Sequence, residues 1–193
     1  MKGLKRTHRC TEVSKENIGE TVTIMGWVQR RRNLGHMIFV LVRDRSGLLQ
    51  VIFDGNEIEE ELFTKAGTLR NEFVVAIVGK VEARSEDINP NMKTGEIEIR
   101  AEQLRILSES QTPPFPIEEN SQTKEEIRLK YRYLDLRRPD LQKNLIMRSQ
   151  IATLARAFLA EEGFLEIETP TLCKSTPEGA RDYLVPSRVH PGN

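Results

Sequence analysis

Residues 21–107 read as five short strands interrupted once by a helix, and few folds accept that order. The first strand runs through "TVTIMGWVQRR", where Val22, Ile24 and Val28 alternate onto one face. "MIFVLVRDR" is apolar on both faces, "RSG" makes a turn with Gly47 as its permissive residue, and "LLQVIFD" is the third strand. The period then changes. Ile58, Leu62, Ala66 and Leu69 recur every three to four residues among Glu57, Glu59, Glu60 and Glu61. That is a short amphipathic helix with its acids in the first turns, where the helix dipole favours them. "FVVAIVGKVEAR" and "GEIEIRAEQLRIL" are the fourth and fifth strands.

This order predicts a five-stranded OB-fold, a small Greek-key barrel, over residues 1–107, though another small β-barrel or sandwich fits the same pattern. Composition shifts at "SESQTPPFPIEENSQT", where Pro113, Pro114 and Pro116 resist both helix and central strand. Residues 108–123 are therefore expected to be a semi-rigid linker. Residues 124–193 turn helical. "TKEEIRLKYRYLDL" places Thr123 and Glu126 as a capping box. "PDLQKNLIMRSQIATLARAFLAEEGF" carries Pro139 near its start and Gly163 past its end, as a helix should. Ile151, Leu154, Ala155, Phe158 and Leu159 form one apolar stripe, and "FLEIETPTL" reads as a short strand stopped by Pro170. One helix and one strand cannot bury a core alone, so this second domain is expected to be only the start of a larger one. The fold class is thus mainly β, a barrel followed by the beginning of an α+β domain.

Charge narrows the partners only locally. Lys+Arg and Asp+Glu both number 29, so net charge favours neither nucleic acid nor membrane. Cys10 and Cys173 lie far apart without metal spacing, and His8, His36 and His190 are scattered, which argues for a reducing cytoplasmic setting and no metal centre. No apolar run approaches the roughly 18 residues of a membrane span, and the basic N-terminus lacks an apolar signal core.

Local clustering is more informative. "GWVQRRRNLGHMIFVLVRDR" puts Arg30, Arg31 and Arg32 on a strand, with Arg30 and Arg32 on one side and Arg31 on the other. An OB-fold binds single-stranded nucleic acid across its second and third strands, stacking bases on aromatics and pairing phosphates with cations. Phe39 sits mid-strand in an apolar run. Gln50 lies between Leu49 and Val51, where an inward unpaired amide would be costly, so it is expected on the outer face. Glu98, with Glu96 and Arg100 on the polar side of the fifth strand, could accept from a base amine. Taken singly, each has a plainer reading: solvated surface for the arginines, core for the phenylalanine. Together on one candidate face they point to nucleic acid.

The second half carries the sharper signal. "EEGFLEIETPTL" resembles motif 1 of class II aminoacyl-tRNA synthetases, and "TPEGARDYLVPSRVHPGN" resembles the loop and strand that follow it in the bacterial-type aspartyl family. "RYLDLRRP", "GWVQRRRNLG", "IFVLVRDRSG" and "LRNEFVVAIVGKV" resemble the same family, so the likeness covers essentially the whole chain. It implies anticodon contacts for Arg32, Phe39, Gln50 and Glu98, with Phe39 stacking, and leaves Arg30, Arg31 and Arg84 as further candidates. It implies that Glu178 approaches the α-ammonium of bound L-aspartate, and that Ile151, Leu154, Phe158 and Pro170 lie at a homodimer interface. ATP and Mg²⁺ are implied for the whole enzyme, but the family's arginine–glutamate and Gly-rich arginine motifs are absent from these residues. The expectation is the amino-terminal part of an aspartate-activating synthetase, inactive alone. The rival is a non-enzymatic OB-fold module that binds single strands.

Overall fold

The structure, a computed structural model, describes residues 4–84, 88–172, 183 and 185–190. The chain divides into two compact units, Met1–Pro116 and Ile117–Asn193. The first is a closed barrel of five strands: β1 (Thr21–Leu34), β2 (Met37–Arg43), β3 (Leu48–Asp54), β4 (Val74–Ala83) and β5 (Ile97–Ser108). One helix, α1 (Glu60–Gly67), falls between β3 and β4. Around the barrel the order is β1-β2-β3-β5-β4. β4 closes on β1 antiparallel through Thr21↔Lys80 to Trp27↔Val74, and β3 meets β5 in a short parallel pairing at Val51↔Ile99. This is the OB-fold the element order predicts. Closure pairs the strand edges that would otherwise be open to other chains.

Alternation explains the core. Ile38, Val40 and Val42 of β2, Leu49, Val51 and Phe53 of β3, and Ile97 and Ile99 of β5 all point inward and are essentially inaccessible. Their period of two is what turned one face of each strand into a barrel interior. Close strand crossings demand small residues. A Cβ on Gly79 would lie 2.2 Å from the Arg100 carbonyl oxygen, at the place where the β4–β5 register shifts. The turn between β2 and β3 is held by Asp44, whose carboxylate accepts from the Ser46 amide at 2.7 Å and the Gly47 amide at 3.3 Å. Its other oxygen accepts from the Cys10 amide at 2.8 Å, tying the 3₁₀ turn Cys10–Glu12 to the barrel. Partial burial raises the Asp44 carboxyl, but these donors outweigh it and leave it below the ordinary carboxylate range.

The segment expected to be a semi-rigid linker carries two buried side chains. Phe115 and Ile117 are each 4% exposed, so its apolar side chains are anchored.

The second unit holds α2 (Glu125–Lys130), α3 (Arg132–Asp135) and α4 (Pro139–Glu161). The expected capping box at Thr123 does not form. Lys124 is the N-cap of α2, and the Thr123 hydroxyl instead pairs with Ser121 Oγ at 2.6 Å. Asp135 is fully buried and accepts from Arg128 (2.9 Å), Arg132 (2.6 Å) and Arg138 (3.1 Å). α4 begins at Pro139 and ends before Gly163, whose φ of +84° suits a residue without a Cβ. Its apolar stripe is open: Ile151, Leu154 and Phe158 are more than half exposed. The strand expected in "FLEIETPTL" is not formed. Residues 164–170 are irregular and exposed, because a strand requires a neighbour for its backbone groups and no described residue supplies one. Pro170 is exposed within that segment.

Candidate nucleic-acid interface

Cross-strand pairing assembles the outer face of β1, β2 and β3 in rows. One row runs Arg30↔Leu41 and Leu41↔Gln50; the next runs Arg32↔Phe39, Phe39↔Ile52 and Ile52↔Arg100. Directly opposed residues share a face of the sheet. Phe39 stands between inward Ile38 and Val40, so its ring belongs to the outer face, half-buried beside the fully covered Ile52. A flat ring in that position offers a base one open π-surface. Arg30 and Arg32 flank it on the exposed end of β1, and their guanidinium groups make no hydrogen bond or ion pair among the described residues.

Arg31 goes elsewhere. It pairs with inward Val40, and its guanidinium donates to the Gly67 carbonyl at the C-terminus of α1. A cation there complements the helix dipole and satisfies an end carbonyl. Arg31 therefore holds the helix against β1, while its neighbours face outward.

Gln50 and Glu98 are brought together. Gln50 Nε2 donates to Glu98 Oε2 at 3.0 Å, and Arg84 Nε donates to the same oxygen at 3.3 Å. Arg84 also reaches the Gly95 carbonyl at 3.4 Å and is nearly buried. The arrangement fixes the polarity of each group: Gln50 directs its donor inward to Glu98, leaving its carbonyl oxygen as the acceptor, and the Glu98 carboxylate accepts from both Gln50 and Arg84. Arg100, which sequence alone left as one more surface cation, is engaged by Glu82 (2.9 Å), Asp54 (3.1 Å) and Glu57 (2.7 Å). Hydrogen bonding to Glu82 leads the causes that push its guanidinium up. Asp54 is held below the usual range, first by the Asn56 amide and also by Arg100. Sequence reasoning missed this cluster because Asp54 and Glu57, Glu82, and Arg100 itself come from three separate parts of the chain.

Among the described residues, no group of three or more His, Cys, Asp or Glu side chains could hold a metal ion. No described helix is long and apolar enough to cross a membrane. Glu178, expected near the substrate ammonium, lies outside the described residues, as do Cys173 and most of "TPEGARDY".

Comparison with known proteins agrees with this geometry. The family description "OB-fold nucleic acid binding domain" matches residues 22–107, and "tRNA synthetases class II (D, K and N)" matches residues 124–193. The chain is 72% identical over its whole length to an aspartate–tRNA(Asp/Asn) ligase of Lachnoclostridium phytofermentans and 65% identical to an aspartate–tRNA ligase of Agathobacter rectalis. It spans 32% of the length of each. Among solved structures, the aspartyl-tRNA synthetase of Entamoeba histolytica superposes with a TM-score of 0.81 at 25% identity, covering 92% of this chain and 42% of that one. The asparaginyl-tRNA synthetase of Pyrococcus horikoshii gives 0.75 at 29% identity, covering 86% and 37%. The chain thus joins a barrel that matches OB-fold nucleic acid binding domains to a segment that matches class II tRNA synthetases, and over its whole length it is similar to aspartate–tRNA ligases.

Proposed function

We propose that this chain is the anticodon-binding part of an aspartate–tRNA ligase and the beginning of its catalytic domain. The observation that carries the reading is the outer face of β1–β3, where Arg30, Arg32, Phe39 and the Gln50–Glu98 pair stand in adjacent rows. A base stacks on Phe39. Arg30 and Arg32 meet backbone phosphates or a base edge beside it. The Gln50 carbonyl and the Glu98 carboxylate accept from base amines and imino groups, and Arg84 holds Glu98 in place. Phosphates supply affinity and the polar pair supplies choice of base.

The whole enzyme would join L-aspartate to its tRNA at the expense of ATP in the cytoplasm, as a homodimer. When bound, ATP with Mg²⁺ supplies the activated phosphate. The described residues carry no carboxylate cluster for the metal, and the sequence carries neither ATP motif, so this stretch does not fit the group. Glu178 would pair with the aspartate ammonium, closing over it and excluding water. Ile151, Leu154, Phe158 and Pro170 would pack against a second copy.

The match of residues 124–193 to class II synthetases favours this over a free-standing single-strand binding module. The test is binding of the 193-residue chain to RNA stem-loops that differ only in the anticodon. Preference for the aspartate anticodon supports the reading. Equal binding to all stem-loops, or to none, defeats it.

A further inference from the structure

β1 does not keep one alternation along its length. Val22, Ile24 and Val28 point into the barrel. Continued unbroken, that parity would turn Arg30 and Arg32 inward and Arg31 outward. The pairing with β2 instead steps from Val28↔Val42 to Arg30↔Leu41, leaving Gln29 as an extra residue. A bulge of this kind sets two residues opposite one and re-aims all that follow. Beyond it the arginines are reversed: Arg32 stands opposite Phe39, and Arg31 opposite inward Val40.

A segment far along the chain holds this bulge. Val28 donates its N–H to the Phe73 carbonyl at 2.9 Å, and its own carbonyl accepts from the Glu72 N–H at 2.7 Å. The Glu72 carboxylate, buried on the same side, accepts twice from Arg43 Nη2, at 2.9 and 2.8 Å. Arg43 Nη1 donates to the side-chain oxygen of Gln29, the extra residue itself. Glu72 takes this position with φ +67°, in the left-handed region that glycine tolerates best. The backbone alone would favour glycine there; the carboxylate is what the clamp uses.

We infer that Gln29, Arg43 and Glu72 are positioning residues, which hold the β1 bulge and thereby place Arg30 and Arg32, rather than Arg31, beside Phe39. A one-residue slip of a strand exchanges its two faces, so losing the clamp exchanges the cations offered to RNA. The register is independent of what binds there; its consequence for RNA rests on the function proposed above.

The test uses the 193-residue chain and two readouts. Glu72→Gly removes the carboxylate while relieving the backbone. In that variant the cross-strand backbone NOEs between Arg32 and Phe39 are expected to give way to NOEs between Arg31 and Phe39. Binding of a stem-loop with the aspartate anticodon should weaken roughly tenfold, the size of one lost base or phosphate contact. Deleting Gln29 in the Glu72→Gly background removes the extra residue, so regular pairing brings Arg32 back opposite Phe39 and most of the affinity returns. A merely structural role for Glu72 predicts no such rescue. Persistence of the Arg32–Phe39 NOEs in Glu72→Gly overturns the proposal, as does a double variant that binds no better than Glu72→Gly. If Glu72→Gly does not fold, deletion of Gln29 alone decides: retained Arg32–Phe39 NOEs support the proposal and their loss overturns it. If the NOEs switch as expected but the parent chain binds no stem-loop, the positioning role stands and the RNA reading falls.

Discussion

Gln50 of β3 donates to Glu98 of β5 across 3.0 Å, so two strands joined only by a short parallel pairing share one polar site on the outer face. Glu98→Gln would remove the charge that orients both Gln50 and Arg84. Binding of the cognate stem-loop should fall by ~1–3 kcal/mol, with discrimination between anticodons lost more than affinity for RNA in general. Titrations with cognate and single-base-changed stem-loops check this; uniform weakening against all of them would contradict a base-reading role.

Phe39 and Arg32 are neighbours across β1 and β2, yet they should fail differently. Phe39→Ala should cost ~1–3 kcal/mol, nearly independent of salt. Arg32→Ala should flatten the log–log salt dependence by roughly 0.7 if it pairs a phosphate. If it contacts a base edge, the salt slope stays and discrimination suffers. Wild-type binding by both variants would remove this face from the interaction.

In the second unit, burial alone would push the Asp135 carboxyl up, but the guanidinium bonds from Arg128 and Arg138 outweigh it and hold it below the usual range. A depressed carboxyl contributes stability that is present above its unfolded-state value and lost as pH falls through the folded one. Urea stability of α2 and α3, followed at the Leu134 and Tyr131 resonances, should therefore decline on acidification below about pH 4. Asp135→Asn should cost about 2 kcal/mol at neutral pH and abolish that part of the acid sensitivity. Asp140, which accepts from Arg138 at 2.6 Å, limits the loss.

The open stripe of α4 predicts association in the longer protein. Extended to the length of its relatives, the enzyme should sediment as a dimer at micromolar concentration, and Leu154→Asp with Phe158→Asp should shift it to monomer. A wild-type monomer would refute the assignment of Ile151, Leu154, Phe158 and Pro170 to an interface. The 193-residue chain should associate weakly at most.

Residues 1–193 should show no aspartate-dependent ATP–pyrophosphate exchange, because the family's two ATP motifs are not among them. The longer enzyme should show it. There Glu178→Ala should impair aspartate use far more than ATP use, as expected of a partner to the amino acid's ammonium. Exchange by the repurified short chain would overturn this division of labour.

Local patterns were legible where they were self-sufficient. The order of β1 to β5 and the place of α1 follow from periods that each segment carries within itself. So do the ends of α4, marked by Pro139 and Gly163. What distant residues decide was not legible. The sequence separates Arg30 and Arg32 from Arg31 but does not say which side faces the barrel, because the bulge at Gln29 depends on Glu72 and Phe73. Thr123 has the chemistry of a cap and loses it to Ser121, a competing neighbour. Residues 164–170 have the composition of a strand without a partner among the described residues to make one.

The pairing of Arg31, Arg43, Arg84 and Arg100 with groups of the protein itself bears on how this barrel meets the crowd of other RNAs in a cell. A surface of unpaired cations would cling to any polyanion and release it slowly. Here most of the positive charge near the face is already answered internally, so a wrong RNA finds little to hold. Encounters with non-cognate transcripts should be brief, and the time needed to sample many of them correspondingly short.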